Sequence, residues 1–579
     1  MKYISTLIFL FSVLKLNSQE IGFNWVNQIE GSYNEIITSQ LDENNNIYVS
    51  GVFNGGLFDD VNGSITFNGI TNNSITFLEM DGAFLAKYSN LGELEWAIPI
   101  YELFAGAVIN IFSLKIDSNG NLYAAGRYSG TIVFDYDAQN IELSSTDSSY
   151  DSFIAKFDND GNFLWVEEIK GNNNDNIVSL SISEDNLSIY ATGNFNQNAI
   201  FGDGSTQLNS NGFSDVFIAK YNSTGEHQWA KSFGGSTFDY AMEILTTTNN
   251  DFYALGSFSG SINIGNDTNP FPLTSNAFRD NYIVKFNQDG EPLWAKQIEN
   301  DVEIEEGIID NNGNILIVGS FSGNQDFDPD ITVYEIQSNG NQNDAFLLKL
   351  NPNGNFEWVT SFGGDNSDLG KSLAIDEDEN IFIGGIYSGT FDYSIGTEVF
   401  NVSSSDGSYD CYILKLDSSG SPTNLITFGG EDTDYLNAIE TKNNSLYAFG
   451  RFRETVDFDP TDNVFTITNS NSDSNSYILS LISDTSLSVL NNSFVEKEIR
   501  VYPNPTNNLL NVVFDEQNYG SPIRIILRNS LGQVVQNQLL NDSFMNPNYL
   551  ISVDGNSGIY FLELYENKKL IKTIKIIKK

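Results

Sequence analysis

Short apolar runs separated by turns of Asn, Asp, Gly and Ser fill the chain from about residue 21 to residue 482. Runs of this kind read as β-strands, and no stretch carries a sustained helical period. The runs come in a fixed order. A phrase of the form Asp-small-aromatic-aliphatic-aliphatic-Lys, followed by Gly and Trp at set distances, recurs about every 65 residues. Its copies include Ala83-Phe84-Leu85-Ala86-Lys87 with Gly92 and Trp96, Asp151-Ser152-Phe153-Ile154-Ala155-Lys156 with Gly161 and Trp165, and Asp215-Val216-Phe217-Ile218-Ala219-Lys220 with Gly225 and Trp229. Three more begin at Asp280, Asp344 and Asp410. A second phrase, a polar turn and a short strand ending in glycine, closes at Gly51, Gly126, Gly193, Gly256, Gly319, Gly385 and Gly450. Upstream of it runs a small-residue strand such as Ser113-Leu114-Lys115-Ile116.

Each period thus holds four short strands: a (small residues), b (ending in Gly), c (ending in Lys) and d (carrying Trp). Radial repetition of a four-stranded unit predicts an all-β, seven-bladed β-propeller over residues 19–482. The ends of the array fit closure. Phe23-Asn24-Trp25-Val26 matches strand d with no a–c before it, and the last unit supplies strands a–c near Ile439, Leu446 and Ile478 without a Trp strand. Residues 23–29 are therefore predicted to be the outer strand of blade seven, which removes two open sheet edges. Asn424 stands where the sixth Trp is expected and Ser480 where the seventh Lys is expected, so looser packing is expected there. The two phrases in this order resemble the bacterial β-propeller repeat family over roughly Ile21 to Ile482.

After a polar linker at 483–499, alternating apolar runs over 500–579 predict a small β-sandwich. Val501-Tyr502-Pro503-Asn504-Pro505-Thr506, then Leu531-Gly532-Gln533-Val534-Val535, then Gly558-Ile559-Tyr560-Phe561-Leu562-Glu563-Leu564 and the closing Lys578-Lys579 stand in that order. They resemble the type A C-terminal sorting domain of the Bacteroidetes type IX secretion system. The resemblance implies that Pro503, Asn504, Pro505, Gly532, Gly558, Tyr560 and Lys578 belong to a sorting signal. It also implies the secretion machinery as a partner, and a passenger that is released or attached to the outer surface. Lys2, the apolar run Ile4–Leu14 and Ser18 read as a secretory signal peptide over 1–18, too short to span a bilayer comfortably. No other segment reads as a membrane helix.

Charge sharpens the boundary. The chain carries −48, yet from Arg500 onward nine Lys/Arg face six Asp/Glu, so the repeats hold the whole negative excess. That charge argues against nucleic acid or an anionic membrane surface as partner. The single cysteine, Cys411, excludes an intrachain disulfide and sits in a small-residue slot. One histidine, His227, on strand d, gives no support to a zinc site or a Ser-His-Asp triad, and no catalytic residue is assigned. The Trp residues recur at one blade position and read as packing between blades. Short a–b and c–d turns such as Asp117-Ser118-Asn119-Gly120 read as Asx turns, lacking a full calcium-loop spacing.

The longer b–c loops repeat an aromatic–acid phrase that offers candidate binding residues: Asp59, Asp135, Asp137, Asp326, Asp328, Asp330, Asp457 and Asp459. Carboxylates presented in a ring suit Ca²⁺ or sugar hydroxyls; the alternative is that the phrase closes strand b and keeps the loop soluble. Three functions stay open: a surface or secreted binding or adhesion module for glycans or surface proteins, a polysaccharide-acting enzyme, and a structural surface component. The first is favoured because the loops vary while the scaffold stays regular.

Overall fold

The computed structural model describes residues 21–482 and 499–579, less 32, 55–63, 71–72, 79–81, 103–106, 137–138, 148, 266–269, 276, 300–301, 331, 396–397, 406, 462, 470–472, 503–505, 507–508, 515–522, 530–533, 541–547, 554–556 and 567–568. The signal peptide expected over 1–18 and the linker expected over 483–499, apart from Ile499, lie outside the described residues.

Up to Ile482 the described residues form seven four-stranded antiparallel sheets with strands in the order a–b–c–d. The first is Tyr33–Leu41, Ile47–Asn54, Gly82–Tyr88 and Leu94–Glu102. The second is Val108–Ile116, Leu122–Ser129, Asp151–Phe157 and Phe163–Gly171; the third is Asp175–Ile182, Ser188–Phe195, Asp215–Asn222 and His227–Phe233. The fourth is Asp239–Thr246, Phe252–Phe258, Asp280–Phe286 and Pro292–Ile298; the fifth is Val302–Ile309, Ile315–Phe321, Asp344–Leu350 and Phe356–Phe362. The sixth is Asp368–Ile375, Ile381–Ser388, Tyr409–Leu416 and Pro422–Phe428. The seventh joins Tyr435–Lys442, Ser445–Phe452 and Asn475–Ile482 to Gly22–Gly31, from the other end of the chain. Val26 pairs with Leu479 and Ile29 with Ser476.

Burial explains the sequence pattern strand by strand. Strands b and c, such as Phe252–Phe258 and Asp344–Leu350, are buried at every position, so they read as unbroken apolar runs. Strand d is half-exposed and mixes Trp with polar residues. Between neighbouring sheets lies an apolar core built from both. Ile29, Ile36, Val49, Tyr447 and Ile478 form the core between the seventh sheet and the first.

The recurring Gly, Lys and Trp turn out to be one device. Trp25, Trp96, Trp165, Trp229, Trp294 and Trp358 each lie against the c–d turn glycine of the next sheet, Gly92, Gly161, Gly225, Gly290, Gly354 and Gly420 in order. Beside them, Lys156, Lys220 and Lys285 reach the carbonyls of Ser223, Gln288 and Pro352 in those same turns. Asn424 departs for a physical reason. The last two strands of the seventh sheet come from opposite ends of the chain, so no c–d turn exists for a Trp at 424 to cover. Ser480, in the Lys slot, instead accepts a hydrogen bond from Asn24 on the closing strand at 3.1 Å. At Gly290, φ is +71° and an added methyl would come within 2.7 Å of Trp229. Gly290→Ala is expected to destabilise the protein by about 1–3 kcal/mol, read as a lowered denaturant midpoint at unchanged m-value.

The b–c connections hold an element the repeat did not predict. They fold into hairpins, and three of these extend a neighbouring sheet: Ser64–Asn68 pairs with Gly22–Gly31, Thr131–Tyr136 with Leu94–Glu102, and Asn198–Phe201 with Phe163–Gly171. The short turns behave as read, with Asp117 Oδ1 accepting from the backbone N–H of Asn119 and Asn121.

The chain divides into two compact units, residues 1–486 and 487–579. In the second, Ile499–Tyr502, Leu509–Phe514 and Asn548–Ser552 form one antiparallel sheet. Ile523–Asn529, Val534–Leu540, Gly558–Glu566 and Lys569–Lys578 form another. Leu510, Val512, Leu527, Ile551, Leu562 and Ile576 pack between them.

Candidate functional site

Three places in the first unit carry chemistry. The acidic b–c loops come first because the sequence pointed to them. Asp326 Oδ1 accepts from the N–H groups of Asp328 and Tyr334 at 3.1 and 2.8 Å, and Asp328 Oδ1 accepts from Asp330 N–H. Asp330 pairs with Lys296 at 2.5 Å. Asp457 and Asp459 repeat the arrangement with Asp459, Phe465 and Thr461 as donors. Phe327 and Phe458, between the acids, are fully buried in the neighbouring cores. Asp326, Asp328, Asp457 and Asp459 accept from their own turns and Asp330 pairs with Lys296, and among the described residues no group of three or more His, Cys, Asp or Glu could hold a metal ion. Asp59 and Asp137 lie outside the described residues, and Asp135 is placed only as a member of strand Thr131–Tyr136.

The second place is a cavity of about 410 Å³ lined by strand a of all seven sheets, from Ser39, Lys115 and Ser179 through Glu243 and Glu306 to Lys371 and Glu440. Enclosure pushes the Glu243 and Glu440 carboxyls up to about 8, with Glu306 adding repulsion to both and Lys115 opposing it. Gly307 N–H donates to Glu243 at 2.6 Å and Ser39 Oγ to Glu440 at 3.3 Å. The cavity is polar, and Glu243 and Glu440 accept hydrogen bonds from the a strands of neighbouring sheets.

The third place breaks the repeat. A groove of about 490 Å³ opens between the fourth and fifth sheets, at the end where the b–c and d–a connections lie. Tyr240 and Met242 line one side and Val302, Glu303 and Ile304 the other, with Phe278 and Arg279 from the b–c loop at its mouth and Asn281, Ser320 and Asn343 supplying amides and a hydroxyl. Val302 occupies the register slot that Asp239 and Asp368 fill in neighbouring sheets, so the groove has an apolar wall where others have a carboxylate. Rings extend outward from it. Phe213 stacks on Phe238 at 5.1 Å, Phe238 lies parallel to Tyr240 at 6.2 Å, and the Arg279 guanidinium sits 4.8 Å from the Tyr240 ring. Phe278 is 87% exposed and Phe213 64%. These exposed rings lie beside a cavity with a few polar groups on its walls. The signal was present in the sequence: Phe213 and Phe278 stand two places before the strand-c Asp, where Ser149 and Ser408 stand elsewhere. Phe238 stands where other copies carry Asn174, Ser367 or Thr433.

His227 and Cys411 contribute no chemistry here. Burial holds the imidazole of His227 below its usual range, between Phe201 and Tyr221. The Cys411 thiol is buried beside the Tyr477 hydroxyl at 3.7 Å, and burial raises its pKa.

In the second unit, Gly558 and Lys578 are register partners on the two last strands, Tyr560 is buried two places along, and Lys578 Nζ donates to the Val553 carbonyl at 2.6 Å. Lys578 therefore points inward, while Lys575 and Lys579 face solvent. Pro503, Asn504, Pro505 and Gly532 lie outside the described residues. Residues 500–579 match the secretion system C-terminal sorting domain. The protein is exported through type IX secretion to the cell surface or beyond it. Among the described residues of this exported chain, no helix is long and apolar enough to cross a membrane.

Relatives of the remainder are distant. The exported chain is 23% identical over 520 residues to the uncharacterized WD repeat-containing protein L264 of Acanthamoeba polyphaga mimivirus, covering 76% of this chain and 36% of that one. It is 23% identical over 391 residues to the regulatory protein FlaEY of Caulobacter vibrioides, covering 62% and 38%. The chain spans well under half the length of these curated relatives. Among solved structures, a protein of unknown function from Dyadobacter fermentans matches with 8% identity and a TM-score of 0.33, over 79% of this chain and 99% of that one. The extracellular domain of BT4673, a putative hybrid two component system of B. thetaiotaomicron, matches with 10% identity and a TM-score of 0.18, over 95% and 99%. Scores this low carry no argument.

Proposed function

We propose that the protein is an exported seven-bladed β-propeller that binds a glycan at the cell surface through the groove between its fourth and fifth blades. Closure into seven blades is supported by the closing strand Gly22–Gly31, by the shared core between the last sheet and the first, and by a cavity that all seven a strands line. One observation carries the binding site: the exposed aromatic row, present at this junction and absent from the repeat pattern, runs into a cavity with amide, hydroxyl, guanidinium and carboxylate groups on its walls. Sugar rings offer C–H faces that lie on aromatic rings and hydroxyls that take such polar partners. Among the described residues, Glu303 is the one carboxylate on the groove's lining.

The test is a broad glycan array probed with the secreted protein, in calcium and again in EDTA. Hits that persist in EDTA are expected. A blank array in both conditions overturns the glycan reading. Hits that vanish in EDTA move the site to the acidic loops around Asp328 and Asp459.

A further inference from the structure

At four seams between sheets, an aspartate at the start of strand c stands beside an aspartate at the start of the next strand a. Asp175, Asp239, Asp368 and Asp434 donate their N–H to the carbonyls of Tyr150, Ser214, Asn343 and Tyr409, each one place before Asp151, Asp215, Asp344 and Asp410. Four seams therefore set two aspartates side by side. The closing seam uses the same backbone contact, Asn34 N–H to the Ser474 carbonyl, but there both acids are replaced by amides, and Asn34 Nδ2 donates to Asn475 Oδ1 at 3.4 Å.

All eight aspartates are at least nine-tenths buried. One oxygen of each strand-c Asp closes its own loop: Asp215 Oδ2 accepts from Asn211 N–H, Asp344 Oδ2 from Asn339 and Asp410 Oδ2 from Ser405. The other oxygen, Oδ1, has no partner in Asp215, Asp344 and Asp410, and both oxygens of Asp175 lack one. At two seams, oxygens of both acids crowd the same glycine. Asp344 Oδ1 and Asp368 Oδ2 lie 2.7 and 2.9 Å from the point where a methyl on Gly363 would sit, and Asp215 Oδ1 and Asp239 Oδ2 lie 2.6 and 2.8 Å from the same point on Gly234. Gly235 and Gly364 N–H donate to Asp239 Oδ2 and Asp368 Oδ2, but no donor reaches the remaining oxygens, and two buried carboxylates side by side repel each other.

We propose that the pairs Asp151–Asp175 and Asp344–Asp368 are proton-binding sites, in which one carboxyl stays protonated at neutral pH and supplies the hydrogen that Asn34 supplies at the closing seam. Alkaline conditions then remove these protons and weaken the seams between blades. The groups facing the pairs do not neutralise them. Asp151 faces Lys170, already bound to Glu168 at 2.8 Å, and Tyr128. Asp239 faces Tyr282; Asp344 and Asp368 face Asp392, Tyr387 and Tyr412. Asp410 and Asp434 face Asp432, Cys411, Tyr387 and Tyr477, with Arg453 giving its backbone N–H. Burial, then repulsion within the pair, pushes Asp175 up to about 9. Burial does most of the same work on Asp239 (about 6), Asp434 (about 7) and Asp368 (about 8), with Asp344 at about 7. Since these values lie above those of the unfolded chain, the stabilisation is complete below about pH 4 and is lost as pH rises through about 6 to 9.

The experiment is the apparent Tm of the full secreted protein from about pH 5 to about pH 9, a range above the titration of ordinary carboxylates. Tm is expected to fall by several degrees, and Asp175→Asn and Asp368→Asn, which carry the neutral form permanently, are expected to flatten the fall. A flat or rising profile overturns the proposal, as does a variant slope equal to that of the parent. Calcium chloride added to EDTA-treated protein at about pH 8 separates proton from cation: no change supports the proposal, and a raised Tm overturns it. Should the variants fail to fold, the infrared carbonyl stretch of protonated carboxyl groups decides, read in a protein carrying Glu243→Gln, Glu306→Gln and Glu440→Gln so that the cavity acids do not contribute. Its persistence at neutral pH is expected; its absence overturns the proposal.

Discussion

Removing Gly22–Gly31 is expected to leave the first unit unable to fold to a soluble monomer. This strand is the outer member of the seventh sheet, paired along its length with Asn475–Ile482. It also receives the hairpin that begins at Ser64, buries Val26 and Ile29, lays Trp25 on Gly92 and donates from Asn27 Nδ2 to the Gly92 carbonyl at 2.6 Å. Burying Val26 and Ile29 alone is worth about 1.5–3 kcal/mol each; Ile29 packs in the core between the seventh and first sheets and Val26 in the core between the sixth and seventh. Loss of the strand also bares two edges, one on Asn475–Ile482 and one on the Ser64 hairpin, and open edges template aggregation. Size-exclusion chromatography and far-ultraviolet circular dichroism of the truncated chain give the readout. A monomer with the parent's Tm would show that the ring does not depend on this closure.

The second large effect concerns delivery. Truncation after the first unit, removing residues 487–579, is expected to abolish surface delivery while leaving that unit folded, because the two are compact units with separate cores. Cell fractionation and surface proteolysis of the truncated and full-length chains check this. The truncated protein should stay inside the cell envelope, protected from added protease. Equal surface exposure of both would mean that residues 500–579 do not carry the export signal. Lys578→Ala, which removes the bond to the Val553 carbonyl, separates sequence recognition from folding of the small unit when its own stability is measured alongside.

The scaffold was legible because it repeats. Strand order, the closing strand at residues 23–29 and the Asx turns follow from spacing and residue type alone, and each has its pairing or hydrogen bonds in the structure. What repetition conceals is partnership across seams. The phrase Gly…Trp shows that both residues matter, but not that Trp229 rests on Gly290 of the following sheet. The same blindness affected the acidic loops. Asp326 and Asp457 each have one oxygen occupied by backbone N–H groups of their own loops, and a sequence does not reveal which oxygen is already bonded. Conversely, Asp175 looks like one turn acid among many until its seam partner Asp151 is known. The groove was hidden for the opposite reason. Phe213, Phe238, Phe278 and Arg279 depart from the repeat, and attention to what recurs passes over what departs. In repeat proteins the scaffold is in the consensus, and a site is sought in the exceptions.

The measurement that tests the account most directly is a set of binding isotherms on one glycan identified by the array. It would compare the parent protein, Phe278→Ala, Arg279→Ala, and the loop variants Asp328→Ala and Asp459→Ala. Deleting an exposed ring or a guanidinium from the groove removes about 1–2 kcal/mol of contact, so each groove variant is expected to bind roughly five- to thirty-fold more weakly. Both loop variants are expected to bind as the parent does. Unchanged affinity in the groove variants, with loss in Asp328→Ala and Asp459→Ala, would contradict the account and return the site to the acidic loops.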